Sequence, residues 1–119
     1  MDAAVAKELE CIKRAILETV DANEIYLFGS HAHGEPHEDS DFDIYVVIPD
    51  DSMRPIEAMQ QIGRAISRKH IRAVDILVGK ESVFDRRKKL PTIERTIFRN
   101  GVKLFGQGRH GQIVAETRK

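Results

Sequence analysis

The chain carries a single cysteine, Cys11, in 119 residues. One thiol closes no internal disulfide, and a reducing compartment suits it. Neither charge is in excess: nineteen Lys and Arg stand against nineteen Asp and Glu. Bulk charge therefore gives no support to nonspecific binding of nucleic acid or of a membrane surface. No apolar run approaches the length of a membrane span. The first residues, Met1-Asp2-Ala3-Ala4, start acidic and lack the continuous apolar stretch of a signal peptide. These absences together point to a soluble cytoplasmic protein. The length fits one domain, which buries roughly two thirds of its unfolded surface.

Patterning supplies the elements. Val5, Leu9, Ile12, Ile16 and Val20 recur at steps of three and four, the signature of one helix face. Ile25 to Phe28 reads as a short buried strand, and Gly29, Gly34 and Pro36 punctuate the loop after it. Phe42, Ile44, Val46 and Ile48 alternate along a second strand. Ile56, Met59, Ile62 and Ile66 space as a helix with Pro55 near its start. Val74, Ile76, Leu77 and Val78 make a third strand. A short helix over 82–89, a helix over 92–99 and a last strand over 102–105 complete the pattern, with Asn100-Gly101 as a stop signal. We expect an α/β sheet covered by helices, one domain over 1–105 and a loose tail over 106–119.

The segment Asp41-Phe42-Asp43 poses a chemical question. Side chains two apart on a strand share a face and lie roughly 7 Å apart. Two carboxylates at that spacing repel by roughly 2 kcal/mol at an effective dielectric near 20. A divalent cation reverses the sign. Magnesium takes oxygen ligands, commonly one or two protein carboxylates completed by substrate phosphates. Alone, an Asp-x-Asp at a strand entrance is most often a solvated turn. Two further features shift the balance. Gly29-Ser30 ends the preceding strand, where a glycine lets the backbone approach an anion and the following amides and hydroxyl can donate to phosphate. Asp75 opens the third strand, where a third carboxylate suits a second metal or accepts a proton from an attacking hydroxyl.

The stretches FGSHAHGEPHEDSDFDIYVVI and VDILV resemble the nucleotidyltransferase superfamily that includes DNA polymerase beta, and the short chain resembles its minimal, MNT-type members. The likeness spans about residues 5 to 105 and includes the closing IERTIFRNGVKLF. It implies a small mixed sheet flanked by helices, the polymerase-beta-like α+β fold. It implies that Gly29, Ser30, Ser40 and His31 serve the nucleotide's phosphates. Asp41 and Asp43 would bind two magnesium ions, and Asp75 would bind the catalytic one and assist deprotonation of the acceptor. One departure is visible: minimal members commonly carry arginines where this chain has His31 and His33, and imidazole binds phosphate less strongly than guanidinium. The implied reaction moves a nucleoside monophosphate, AMP from ATP, to a hydroxyl on a partner protein. The expected partner is a helical HEPN-domain protein in a toxin–antitoxin pair, this chain being the antitoxin. The alternatives are a non-catalytic nucleotide- or partner-binding module of the same fold, and a small-molecule nucleotidyltransferase working as a dimer.

Other signals carry less. The run 106–111 fits Gly-x-Gly-x-x-Gly but lacks the strand–turn–helix context and the later acid of a dinucleotide site. Gly29 and Gly34 are spaced as in a P-loop, but Glu35-Pro36 follows where Lys and Ser or Thr belong. His31, His33 and His37 read as a loop cluster rather than a zinc site. Arg86-Arg87-Lys88-Lys89 reads as a solvated helix face, and Cys11 and Tyr45 as packing residues.

Overall fold

In a computed structural model, residues 3–33, 41–69 and 71–106 are described. The order is α1 (Ala3–Thr19), β1 (Glu24–Phe28), α2 (Ser30–His33), β2 (Phe42–Ile48), α3 (Pro55–Ser67), β3 (Val74–Lys80), α4 (Glu81–Arg87), α5 (Ile93–Asn100) and β4 (Val102–Gly106). The four strands form one mixed sheet in the order β3-β2-β1-β4. β1 pairs antiparallel with β2 and with β4, while β2 and β3 run parallel. The parallel pair needs a crossover, which α3 supplies.

Alternation divides the side chains between two faces. Ile25, Leu27, Phe42, Ile44, Val46 and Ile48 join Leu9, Ile12 and Ile16 of α1 and Ala58, Ile62 and Ile66 of α3 in the larger core. The steps of three and four in α1 are thus its buried face, whereas in α3 Ile62 and Ile66 are buried together with Ala58, Met59 is half-buried and Ile56 is exposed. On the other face, Tyr26, Tyr45 and Val47 meet Phe84 of α4 and Ile97 of α5 in a smaller core. Strand β2 is central and buried along both faces, which explains its near-continuous apolar run.

Local chemistry sets the helix limits. Pro55 opens α3, where its missing N–H costs nothing, and the Glu57 carboxylate accepts the Arg54 backbone N–H at 3.2 Å. The Thr92 hydroxyl caps α5 by accepting the Arg95 N–H at 3.3 Å. Gly79 is required by packing: a Cβ there would sit 2.2 Å from the Tyr45 hydroxyl. Tyr45, read as a packing residue, is 3% exposed. Its hydroxyl donates to Glu94 at 3.1 Å, and Arg87 donates to the same carboxylate at 2.9 Å.

The structure departs from the sequence reading at several points: Gly106, expected in the tail, closes β4, and His31, expected in a loop cluster, is buried in α2. The loop after Gly29 begins with one helical turn, α2, closed by the Ala32 N–H donating to the Gly29 carbonyl at 3.1 Å. Four residues are too few for periodicity to show. Cys11 is half-buried rather than core. Lys88 is not part of a solvated run: its ammonium lies 4.3 Å from the Phe98 ring centroid and 3.0 Å from the Asp85 carboxylate. The expectations for Ser40, Gly34, Pro36, His37, the His33 side chain and residues 107–119 lie outside what is described.

Candidate active site

The site lies where β1 ends and β2 and β3 begin. Phe28 pairs with Asp43 across β1 and β2, and Asp43 pairs with Asp75 across β2 and β3. Asp43 and Asp75 therefore occupy adjacent positions on neighbouring strands. Their parity along the strands is that of Tyr45 and Leu77, on the face covered by α4 and α5. Asp41 and Asp75 are exposed, whereas Asp43 is half-buried.

Gly29 closes the arrangement from the other side. Its φ is +79°, a left-handed conformation that glycine adopts readily. A Cβ at Gly29 would fall 2.2 Å from Oδ2 of Asp43. The backbone thus approaches the carboxylate through the space that any side chain would fill. Ser30 follows at the head of α2 and is half-buried.

The electrostatics follow from this crowding. Burial, then the negative charges of Asp75 and Asp41, push the Asp43 carboxyl above its ordinary range. A hydrogen bond with Asp75 adds to the rise, and His31 acts in the opposite direction. His31 is 8% exposed, and its ring lies 4.6 Å from the ring of Phe42. The structure thus brings Gly29, Ser30, His31, Asp41, Asp43 and Asp75 to one end of the sheet.

Among the described residues, no three His, Cys, Asp or Glu side chains close a metal cage by themselves. The donors are hard carboxylate oxygens, with positions left for other ligands. That fits magnesium, which keeps several ligands from water and phosphate, better than a metal wanting a closed nitrogen or sulfur set. The residue most in need of a cation is Asp43, because burial and then its acidic neighbours disfavour its charge.

The chain matches the family model described as "Polymerase beta, Nucleotidyltransferase" over residues 10–110. The chain belongs to that family. It is a nucleotidyltransferase of the minimal, polymerase-beta-like kind. Among solved structures it is similar to a nucleotidyltransferase candidate from Sulfolobus solfataricus, with 25% identity, 92% of each chain covered and a TM-score of 0.54. It also resembles a toxin–antitoxin structure with AMP-PNP, at 23% identity and a TM-score of 0.54, covering 83% of this chain and 73% of that one. A mutant of the MntA–HpeT toxin–antitoxin shares the fold at 23% identity, the same coverage and a TM-score of 0.56. No curated protein matches the chain.

Sequence reasoning missed several charged groups inside this nucleotidyltransferase. Glu24 is fully buried at the start of β1, with Lys103 of β4 at 3.2 Å. Glu94 is buried beneath Tyr45 and Arg87. Arg72, just before β3, lies over Phe42 and pairs with Glu8 of α1. Lys103, Tyr45 and Glu8 lie 79, 49 and 64 residues from their partners, so no local pattern marks these contacts, although Arg87 stands seven residues before Glu94.

Proposed function

We propose that this chain transfers a nucleoside monophosphate, AMP from ATP, to a hydroxyl on a partner protein. The observation that carries the reading is Asp43, half-buried between Asp75 and Gly29, its charge opposed by both neighbouring aspartates. When bound, magnesium supplies positive charge that offsets the carboxylates and the triphosphate together. Asp41 and Asp43 would hold it, with Asp75 completing the seat. Gly29 and Ser30 would receive the β- and γ-phosphates at the turn into α2, joined by Ser40 and His31. The acceptor oxygen bonds to the α-phosphorus, the bond to pyrophosphate breaks, and Asp75 takes the hydroxyl proton. Orientation supplies most of the acceleration in such an in-line displacement.

A protein acceptor is supported by two of the three neighbours, which are toxin–antitoxin structures, one with AMP-PNP and one a double aspartate-to-glutamate mutant. The partner we infer is a HEPN-domain protein, with this chain as antitoxin. The test is to incubate the chain with labelled ATP, magnesium and the protein encoded beside its gene. Label on that partner, lost with chelator and with Asp43→Asn, is the expected result. A partner left unlabelled with every nucleotide tried would refute transfer to it.

The binding-module reading has one observation in its favour. His31 packs against Phe42 and is nearly buried, a poor position for an extended phosphate-gripping arm. If Asp43→Asn still neutralises the partner in cells, binding suffices and transfer is incidental.

A further inference from the structure

A continuous stack runs beneath the aspartates, from α1 to the phosphate loop. Phe42, between Asp41 and Asp43 in sequence, is fully buried. On one side its ring meets His31, with centroids 4.6 Å apart and planes inclined at 54°. The Arg72 guanidinium lies 4.8 Å from the same ring centroid, within cation–π range. Arg72 is fixed in turn: its Nη2 lies 2.8 Å from Oε1 of Glu8, and its Nε donates to that oxygen at 3.1 Å. Both side chains are about three-quarters buried, at 26% and 23% exposure. The pair is therefore screened less than an ordinary surface bridge. The backbones are joined as well, since the Phe42 N–H donates to the Ala73 carbonyl at 3.1 Å.

We propose that Arg72 is a positioning residue: anchored by Glu8, it holds the Phe42 ring against His31 and so fixes the start of β2, with its aspartates, relative to β3. The proposal rests on the nucleotidyltransfer reading above and adds to it a residue that touches neither metal nor phosphate. Three features support an indirect role. Two guanidinium nitrogens, Nε and Nη2, are held by one Glu8 oxygen. Phe42 points to the opposite sheet face from Asp43. The ring is the element the arginine shares with His31. Groups that orient metal-binding side chains commonly change metal affinity when removed. Arg72 would act in that way through packing, because any shift of Phe42 moves a backbone that carries one aspartate on either side.

The experiment uses the full chain and a non-hydrolysable ATP analogue, titrated calorimetrically in magnesium and again in EDTA. Arg72→Met, which keeps the apolar stem, should weaken binding in magnesium about tenfold and leave binding in EDTA unchanged. Glu8→Gln should show a smaller loss of the same kind, and the double variant should be no weaker than Arg72→Met alone. Arg72→Lys should recover part of the loss. In the nucleotide-free protein, the His31 imidazole proton resonances should move in Arg72→Met, because the Phe42 ring current displaces them. Unchanged affinity in magnesium would overturn the proposal. So would an equal loss in EDTA, which would make Arg72 a direct nucleotide contact, or losses that multiply in the double variant. If Arg72→Met does not fold, Glu8→Gln and Phe42→Leu decide by the same comparison. A wild-type chain without magnesium-dependent binding would instead refute the nucleotidyltransfer reading itself.

Discussion

Asp43 sits where the polypeptide disfavours its anionic form. Burial and the charges of Asp75 and Asp41 raise its carboxyl above the usual range, so its ionised form costs stability in the folded state. The proton is bound more tightly when folded. The cost is therefore absent at pH below the unfolded carboxyl's value, grows as pH rises through the window between the two values, and is complete above the folded one. Asp43→Asn should consequently melt higher than wild type in EDTA at neutral pH, with the difference closing as the solution is acidified through that window. A thermal melt series over pH checks it, and a lower melting temperature at neutral pH would make Asp43 a structural residue. Gly29 makes the opposite case. Gly29→Ala places a methyl where the Asp43 carboxylate lies and puts a side chain at φ +79°. It should cost about 1–2 kcal/mol from backbone strain alone, with a further loss of magnesium-dependent nucleotide binding, measured by denaturant unfolding and titration calorimetry.

Helix α5 shows what a sequence can and cannot reveal about an element. Thr92 and Asn100-Gly101 mark its ends in the sequence, and the structure places α5 at Ile93–Asn100. Its role in the smaller core was not legible, because Glu94 looks like a surface residue in a charged helix. Arg87 stands seven residues before it, but only the fold brings Tyr45 to it. The strands were legible for the reason that alternation is local, whereas the placement of β4 beside β1 depends on a pairing some eighty residues apart. At the site, Gly29, Asp41, Asp43 and Asp75 could be chosen from residue type and strand position. Arg72 could not, since its meaning comes from a ring and a carboxylate on other elements. The α5 contact makes its own prediction. Burial raises the Glu94 carboxyl, but the Arg87 hydrogen bond, its own backbone and the Tyr45 hydroxyl outweigh it, leaving the carboxyl below its usual range. Its stabilising contribution is therefore present above the unfolded carboxyl's value and lost as pH falls through the depressed folded value. Glu94→Gln should lower stability by about 1–2 kcal/mol at neutral pH, and the gap from wild type should close in acid. Urea unfolding at several pH values checks the direction.

At the scale of the molecule, the sheet separates two unequal cores. The larger, under α1 and α3, holds the aspartate-bearing strands from behind. The smaller, under α4 and α5, covers the face on which Asp43 and Asp75 lie. The candidate ligands thus stand at the junction of β1, β2 and β3, and magnesium with a triphosphate would join them. A ligand that binds the folded chain alone stabilises the whole of it by mass action, about 2.7 kcal/mol at a hundred times its dissociation constant. For a chain of this size that corresponds to a rise of roughly 10 °C in melting temperature. Magnesium with a non-hydrolysable ATP analogue should produce such a rise in wild type, while magnesium alone or the analogue in EDTA produces much less. Asp75→Asn should lose the cooperative part of the rise even though it folds, because Asp75 is exposed and its removal relieves repulsion on Asp43. A rise of equal size in that variant would show that the triphosphate binds away from the paired strand starts, and would place the site elsewhere on the sheet.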